Sequence, residues 1–196
     1  MNVYLLLDRS GSMSTLWSEA IGSINGYVSK LKKSDKVTVA AFDSVSYDVV
    51  RDVKVTDWTD IKSNEIEPRG GTPLYDACGK LMAQAEQEKA KKTVLVVMTD
   101  GFENASQEYT QAAIKSKIEA FEKKKWEVIF LGANFDAVHG IAAGLGVVGS
   151  KSMSYGVGNF ARGMDILATS TNAYAATGVS MNFSDEDKNS VSKSLA

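Results

Sequence analysis

Four short, predominantly apolar runs recur along the chain, and each predicts a buried strand. They occupy residues 3–7, 37–42, 93–98 and 128–131. Each run is shorter than most helices, and turn-forming or charged residues bound it. Runs that are apolar on both faces are typical of central strands in a parallel sheet, which helices cover on both sides. The pattern therefore predicts the first, second, fourth and fifth strands of such a sheet.

Two further segments predict strands of a different kind. Between residues 45 and 53, valine and tyrosine alternate with polar residues, which is the pattern of a strand with one face in solvent. Only residues 43–44 separate this segment from the second apolar run, so the two predict a hairpin. Its second strand is then antiparallel and lies at the sheet edge. A weaker pattern at residues 147–153 predicts a short sixth strand.

Apolar residues spaced three and four apart predict amphipathic helices between the strands. Since strands and helices alternate, the predicted fold class is α/β with a doubly wound, Rossmann-like sheet. We expect a mainly parallel six-stranded sheet with one antiparallel edge strand and helices on both faces. Asn134 is expected to cap the fourth helix. The predicted helical segments are residues 17–31, 73–85, 109–125, 134–145 and 160–176.

One domain accounts for residues 1–178, because no shift in composition divides them. Residues 179–196 are polar and rich in serine, which predicts a frayed C-terminal tail. Within the domain, Pro73 stands at the favoured first position of its helix, so Thr72 is a candidate N-cap.

Composition narrows the choice of partner and compartment. The 196 residues are 44% hydrophobic, which is enough to bury a core without disulfide bonds. A net charge of -2 gives the chain no overall basic character and predicts neither a nucleic-acid nor a membrane partner. The single cysteine, Cys78, and the lack of a leader-like or membrane-spanning segment predict a cytoplasmic protein. Cys78 and the sole histidine, His139, are expected to have structural roles.

Candidate chemistry begins where the first strand ends, with Asp8, Ser10 and Ser12 in the pattern D-x-S-x-S. Alternate residues of an extended segment point the same way, so the three side chains can converge, and Gly11 permits a tight bend. Mg²⁺ takes hard oxygen ligands and keeps some of its waters, so one or two carboxylates together with hydroxyl groups suit it. By itself the pattern also fits an Asx turn that caps the next helix.

Two distant segments favour the metal interpretation. Thr72 follows two glycines in a turn, and Asp100 follows the apolar strand at 93–98. The carboxyl ends of parallel strands share one edge of a sheet, where such folds place their ligand sites. If the first and fourth strands are neighbours, Asp8 and Asp100 meet at this edge. The predicted metal ligands are Asp8, Ser10, Ser12, Thr72 and Asp100.

These five positions resemble the metal-ion-dependent adhesion site of the von Willebrand factor type A domain. That family carries D-x-S-x-S on its first strand, a threonine on a glycine-bearing loop and an aspartate after its fourth strand, in the order found here. The resemblance extends over residues 2–178. It implies a protein-binding module that is not an enzyme. A divalent cation, Mg²⁺ or else Mn²⁺ or Ca²⁺, would bind an Asp or Glu carboxylate of a partner protein.

The resemblance implies two further features. Family members change their affinity by moving the threonine loop and the last helix, which here are Thr72 and residues 160–176. The chain is also similar to stand-alone intracellular domains of bacteria and their viruses. This similarity implies a cytoplasmic location, which is the host cytoplasm if the chain is viral.

Two other functions compete with adhesion. A Mg²⁺-dependent phosphoesterase-like enzyme can use a similar sheet, but Ser10 stands two residues after Asp8, where such an enzyme would carry a second acid. The sequence contains no P-loop, no nucleophile elbow and no base placed near the metal. An assembly protein would instead use the metal for stability alone. Chelation would then lower its melting temperature and leave partner binding unchanged.

Several polar residues near the motifs have two open interpretations. Glu103 and Asn104 either form the rim of the site or belong to a solvated turn. Asp43 and Asp76 either orient the metal ligands or bond to the local backbone. Arg9 lies between two of the ligands in the sequence and is expected to be a solvated side chain.

Overall fold

The computed structural model of the chain describes residues 1–133 and 135–192, and only the backbone at residues 135–137. Within these residues, strands and helices alternate as the hydrophobic pattern predicts. The strands are β1 Asn2–Asp8, β2 Lys36–Phe42, β3 Tyr47–Lys54, β4 Thr93–Met98, β5 Glu127–Gly132 and β6 Ser152–Ser154. The helices are α1 Trp17–Ser29, α2 Leu74–Glu88, α3 Gln111–Lys123, α4 Phe135–Gly144, α5 Phe160–Thr177 and α6 Asp185–Ser192.

The strands form one sheet in the order β3-β2-β1-β4-β5-β6. The antiparallel pair is β2 with β3, and all other neighbouring strands run parallel. The predicted doubly wound α/β sheet with an antiparallel edge strand is thereby confirmed. The strand order changes direction between β1 and β4, which is the position where open α/β sheets leave a crevice for ligands.

Alternate residues of β1 face two separate hydrophobic cores. Leu5 and Leu7 point into the core beneath α1 and α5, whereas Tyr4 and Leu6 point into the core beneath α2, α3 and α4. None of these four side chains is exposed to solvent. Burial of both faces explains why the run is apolar without interruption, and it makes β1 a rigid support for the polar residues that follow it.

Helix α2 begins one residue later than predicted. Its first helical residue is Leu74, Pro73 occupies the N-cap position, and Thr72 lies outside the helix. The prediction that Thr72 caps this helix is therefore wrong. The physical reason is a competing acceptor, because the carboxylate of Glu103 accepts the backbone N–H of Tyr75 at 3.0 Å.

Residues 181–192 differ from the frayed tail that their composition predicts. Phe183 and Val191 are buried against the core beneath α1 and α5. The Phe183 N–H donates to the carbonyl of Ser150 at 2.7 Å, and the Gly156 N–H donates to the carbonyl of Val191 at 2.8 Å. The apolar residues of this segment are too sparse to show a period, so their burial depends on the surface against which they pack.

Other differences from the predicted elements are small. The sixth strand covers Ser152–Ser154, and a 3₁₀ turn at Gly149–Lys151 occupies the preceding part of the predicted segment. Asn134, the predicted cap of α4, lies outside the described residues. In the described part of the chain, no helix combines the length and the apolar character that a membrane crossing needs.

Candidate metal centre

The carboxylate of Asp8 is fully buried at the end of β1. Its Oδ1 accepts the backbone N–H of Ser10 at 2.7 Å, and its Oδ2 accepts the hydroxyl of Thr99 at 2.7 Å. Thr99 was not among the predicted site residues, although its place directly before Asp100 at the end of β4 is a signal that could have identified it. Both carboxylate oxygens of Asp8 are thus held in place by neighbouring donors.

A chain of hydrogen bonds joins the loops after β1 and β4. The Oγ atoms of Ser10 and Ser12 lie 3.1 Å apart, and the Ser12 hydroxyl donates to Oδ1 of Asp100 at 2.7 Å. Ser10 is buried, Ser12 is exposed and Asp100 is partly exposed. The structure therefore brings these three predicted ligands together, at a place that opens to solvent on the Ser12 side.

The Thr72 hydroxyl lies beside this chain. A Cβ atom placed on Gly101 would be 3.8 Å from Oγ of Ser12 and 3.9 Å from Oγ1 of Thr72, so both hydroxyls lie near one point. Thr72 is 3% exposed, and within the described residues its hydroxyl has no hydrogen-bond partner. The fifth predicted ligand is thus close to the others, with an oxygen that is not otherwise engaged.

Backbone contacts from Asn104 hold the Thr72 loop. The Asn104 side-chain oxygen accepts the Thr72 N–H at 2.8 Å, and the Asn104 N–H donates to the Thr72 carbonyl at 3.1 Å. A Cβ atom at Gly71 would lie 2.9 Å from Oδ1 of Asn104, so a larger residue there would have to displace this side chain. Asn104 therefore positions Thr72, although Asn104 itself is exposed.

Two acids attach the start of α2 to the segment after Asp100. Glu103 accepts the N–H of Tyr75, and Asp76 accepts the N–H groups of residues 107–109 at 2.7 to 2.9 Å. Burial disfavours the charged form of Asp76, but these backbone donors outweigh it and lower the pKa of Asp76. The Asp76 carboxylate thus bonds to the local backbone and does not orient a predicted ligand.

Arg9 is buried, and the prediction of a solvated side chain is wrong. It is 3% exposed, and its Nε lies 2.8 Å from Oδ2 of Asp43, while Nη2 contacts Asp48. The reason is the hairpin of β2 and β3, which places these two acids beside β1 although they are distant in the sequence. Arg9 therefore fixes the loop of predicted ligands to the hairpin.

Asp43 is the centre of this ion-pair network. Besides Arg9, Nε of Arg69 lies 2.9 Å from its Oδ2, and the N–H groups of Val45 and Ser46 donate to its Oδ1. Burial raises the pKa of Asp43, but these donors and cations together lower it below its usual value. Asp43 acts on the predicted ligands only through Arg9, and it contacts none of them directly.

The donor set fits a hard divalent cation. It combines two carboxylates with three hydroxyls, so it differs from a cluster of three or more His, Cys, Asp or Glu side chains, and no such cluster occurs in the described residues. Burial, with a smaller contribution from Asp100, raises the pKa of Asp8. A cation beside Asp8 would favour its charged form. Oxygen ligands of this kind suit Mg²⁺, Mn²⁺ or Ca²⁺.

His139 and Cys78 take no part in this arrangement. The Nδ1 atom of His139 lies 2.8 Å from Oγ of Ser152, and burial is the main cause that lowers the pKa of His139. Cys78 lies on the buried face of α2, where burial raises the pKa of its thiol. Both residues have surroundings that match the structural roles predicted for them.

Solved structures share this fold at low sequence identity. The vWF domain of the type V pili tip protein Mfa5 from Porphyromonas gingivalis has a TM-score of 0.70 and 12% identity, covering 88% of this chain and 95% of that one. Manganese-loaded TRAP protein from Plasmodium vivax has a TM-score of 0.58 and 14% identity, with coverages of 83% and 70%. Proximal thread matrix protein 1 from the mussel byssus has a TM-score of 0.64 and 11% identity, with coverages of 85% and 44%. The chain thus spans less than half of the mussel protein, and likeness at these identities shows the fold alone.

The sequence itself provides the family assignment. No curated protein matches the chain. A sequence model of the von Willebrand factor type A domain matches residues 3–103, which are more than half of the chain and include all five predicted ligands. The sheet order and the covering helices agree with that assignment. This chain therefore belongs to the von Willebrand factor type A domain family.

Proposed function

We propose that this domain is a metal-ion-dependent protein-binding module. This fold is often a protein-interaction module, and the site residues support that use here. When bound, a divalent cation would supply positive charge and an exchangeable position for a carboxylate oxygen from an Asp or Glu of a partner protein. Mg²⁺ is the proposed ion, with Mn²⁺ or Ca²⁺ as alternatives. Its proposed ligands are Asp8, Ser10, Ser12, Thr72 and Asp100.

The observation that carries the proposal is the convergence of hydroxyls on Asp100. Ser10, Ser12 and Asp100 are linked by bonds of 3.1 and 2.7 Å, and the Thr72 hydroxyl lies beside them without another partner in the described residues. The three hydroxyls are neutral, so where Asp8 and Asp100 act on the cation through water, its charge is poorly neutralised. The carboxylate of Asp8 is held by the Ser10 N–H and by Thr99, which limits its movement towards such a cation.

The electrostatic consequence is a preference for an anionic ligand. A cation held mainly by neutral oxygens attracts a further carboxylate more strongly than one surrounded by acids. Access is possible on the side of Ser12, which is exposed, whereas Asp8 and Thr72 are buried. An acidic side chain that projects from the partner would reach the site from this side.

Calorimetric titration with Mg²⁺ and Mn²⁺ tests the site directly. We expect the parent chain to bind one ion, and the Ser12→Ala and Asp100→Asn variants to bind at least about tenfold more weakly, which is a loss of about 1.4 kcal/mol. Ser29→Ala is the matched control, because its hydroxyl bonds to the carbonyl of Gly26 on α1. Equal affinities for the parent and Asp100→Asn would contradict the proposal.

A capture experiment tests the function of the site. Partner proteins from the source cell should bind the immobilised chain with Mg²⁺ and be released by a chelator, and Asp100→Asn should not capture them. If chelation lowers the melting temperature but leaves partner capture unchanged, the metal serves stability alone. The chain would then act as an assembly protein.

We further propose that the domain is not an enzyme and that it works in the cytoplasm. Ser10 occupies the position of a second acid, and the carboxylate of Asp8 is already engaged by two donors. A generic phosphoester such as p-nitrophenyl phosphate should therefore not be hydrolysed with Mg²⁺ or Mn²⁺. Turnover that disappears in Asp8→Ala would overturn the non-enzymatic assignment.

A further inference from the structure

Lysines gather at the edge of the sheet opposite the candidate metal centre. Three lysine-rich segments, residues 30–36, 89–92 and 123–125, each lead into a parallel strand, namely β2, β4 and β5. Only β1 separates β2 from β4 in the sheet, and β5 is the next neighbour of β4. The fold therefore places side by side lysines that are far apart in the chain. We define the lysine face as Lys32, Lys33, Lys89, Lys91, Lys123 and Lys125.

The charge of the lysine face is not neutralised by neighbouring acids. All six side chains are exposed, and none forms an ion pair with another described residue. Of the nearby acids, Glu86 pairs with Lys117 and Lys124, Glu88 with Lys36 and Glu122 with Lys151. Glu119, one helical turn before Lys123, forms no ion pair with another described residue. The six lysines therefore present a surface with an excess of positive charge.

The backbone is strained at two positions of this face. Lys89 has a φ of 51° and Lys125 a φ of 59°, and they are the non-glycine residues with positive φ in the described part of the chain. A side chain makes this left-handed conformation unfavourable, and glycine is the usual residue there. The chain uses glycine for the same conformation at Gly146 and Gly178. Lysine thus stands where backbone stability favours glycine, and strain of this kind is typical of functional positions.

A cleft of about 470 Å³ opens within this surface, between the loops that precede β2 and β4. Lys32, Lys91 and Lys92 line it. Asp35 also lines the cleft, but its buried carboxylate is held by the amino group of Met1 at 3.0 Å. The wall of the cleft therefore attracts anions.

We propose that the lysine face binds the phosphate backbone of duplex nucleic acid without sequence preference. Lysine is a hydrated point charge that suits diffuse contact with phosphates. Base recognition commonly uses arginine, and the four arginines of the chain, at positions 9, 51, 69 and 162, lie outside the lysine-rich segments. Binding of single strands uses exposed aromatic rings, whereas Trp126, which follows the last lysine segment, is 5% exposed.

Other anionic partners fit this surface less well. Lysine is depleted in protein interfaces. Binding to a membrane surface uses an apolar face whose side chains insert between lipids. Beside the lysine face, the described residues offer one exposed large apolar side chain, Val179 near Lys92, which is too few for such a face. A flat bilayer also cannot enter the cleft between Lys32 and Lys91, whereas a ridge of phosphates can.

The net charge of -2 does not oppose this binding. That sum combines the acids of the opposite edge with the lysine face. The seven residues of β1 span about 20 Å, whereas charges in physiological salt are screened over about 8 Å. The two edges are therefore electrostatically separate, and the total charge from which no nucleic-acid partner is predicted does not describe the lysine face alone.

Fluorescence anisotropy with a labelled mixed-sequence DNA duplex of about 20 base pairs tests the proposal. The assay contains a chelator, so its result does not depend on the candidate metal centre. We expect a dissociation constant between about 10⁻⁶ and 10⁻⁴ M at physiological salt, about 150 mM NaCl, and tighter binding at about 50 mM NaCl. If four to six phosphates are contacted, about 200 mM NaCl weakens binding roughly 10²- to 10³-fold.

Charge-reversal variants locate the surface. A triple variant of the lysine face should bind the duplex at least tenfold more weakly. A control with the same charge change should stay within about twofold of the parent, because its lysines lie outside the three lysine-rich segments. The face variant is Lys32→Glu, Lys91→Glu and Lys123→Glu, and the control is Lys62→Glu, Lys80→Glu and Lys115→Glu.

A second variant separates binding from stability. Replacing both strained residues, Lys89→Gly and Lys125→Gly, should raise the melting temperature and at the same time weaken duplex binding several-fold. A purely structural role for these lysines would leave duplex binding unchanged. No binding at about 50 mM NaCl, or an equal loss in both triple variants, would overturn the proposal. Binding to phosphatidylserine vesicles without binding to the duplex would overturn it as well and assign the face to membranes.

Discussion

Arg9 shows how a single residue can serve the candidate metal centre without touching it. Its neighbours in the sequence, Asp8 and Ser10, turn towards the centre, while its own side chain is buried against Asp43 and Asp48. A buried cation with two acid partners holds the loop between β1 and α1 against the hairpin. Loss of one partner from such a network is costly, because the remaining charge stays buried.

We expect Arg9→Leu to lower the free energy of unfolding by about 3 kcal/mol. The loss lies at the lower end of the usual range, because Asp43 keeps Arg69 and two backbone donors. Urea unfolding followed by circular dichroism measures it. Arg51→Leu is the control, since its surface pair with Glu65 should contribute less than about 1 kcal/mol. Equal losses in the two variants would contradict a special role for Arg9.

The Thr72 hydroxyl is the second residue-level test. Thr72→Val keeps the shape of the side chain and removes only an oxygen that has no partner among the described residues. We expect Mg²⁺ affinity to fall about tenfold, or about 1.4 kcal/mol, with little change in the melting temperature. Thr72→Ser should keep most of the affinity. Calorimetric affinities for Thr72→Val that match the parent would exclude this hydroxyl as a ligand.

At the level of elements, the start of α2 is fastened to the loop that follows Asp100. Glu103 accepts the N–H of Tyr75, and Asp76 accepts three N–H groups from residues 107–109. These contacts take the place of a cap by Thr72. The loop that carries Asp100 therefore also holds the start of α2.

Asp76 should make stability depend on pH. Its pKa is lowered in the folded chain, because backbone donors outweigh the effect of burial. A carboxyl group of this kind stabilises the fold above its unfolded pKa of about 3.9, and this stabilisation is lost as pH falls through the folded pKa. We expect Asp76→Asn to be less stable than the parent at neutral pH, with a difference that shrinks below about pH 4. Urea unfolding across this range measures the difference.

A matched aspartate outside such contacts serves as the control for this test. Asp57 is exposed beside the short turn after β3. Asp57→Asn should therefore change the unfolding free energy by less than about 0.5 kcal/mol at any pH in the range. A difference between the parent and Asp76→Asn that stays constant with pH would show that the backbone donors do not depend on the charge of Asp76.

The segment after α5 is the second element with a testable energetic role. Phe183 is 3% exposed and packs into the core beneath α1 and α5. We expect Phe183→Ala to cost about 3 to 5 kcal/mol, as measured by urea unfolding, because it leaves a cavity. Val179→Ala is the control, since Val179 is 68% exposed and its loss should be below about 0.5 kcal/mol. A negligible effect of Phe183→Ala would instead support the frayed tail that composition predicts.

At the scale of the whole molecule, the sheet separates two kinds of surface. The carboxyl ends of its parallel strands carry the acids and hydroxyls of the candidate metal centre, and the amino ends carry the lysine face. Helices run back between these edges, so charges favoured at helix C-termini gather on the lysine face. The two surfaces are far enough apart to bind separate partners.

Metal binding should stabilise the whole domain. At a Mg²⁺ concentration about 100 times the dissociation constant, the free energy of unfolding should rise by about 2.7 kcal/mol. For a chain of this size, the melting temperature should then increase by roughly 5 to 10 °C. Calorimetric or circular dichroism melts measure the shift. Asp100→Asn should reduce it to about half or less, whereas Ser29→Ala should keep it, and a full shift in Asp100→Asn would place the ion elsewhere.

Much of this architecture could be predicted from local patterns alone. The apolar runs identify the four central strands, because their burial on both faces excludes polar residues from them. The polar residues at the ends of β1 and β4 and the glycines before Thr72 identify the candidate site, because these residue types are uncommon within buried strands. Such features depend only on short segments of chain, so the hydrophobic pattern and the spacing of motif residues are enough to identify them.

Other features depend on residues that meet only after folding. Arg9 is buried because the hairpin supplies acids, Glu103 displaces Thr72 as a helix cap, and Phe183 is covered because α5 and β6 leave it a surface. The lysine face likewise exists only because the sheet order places three distant loops together, a fact that the total charge conceals. Local patterns specify which segments are strands and helices, but burial and pairing are properties of contacts between segments. Tertiary structure alone decides those contacts.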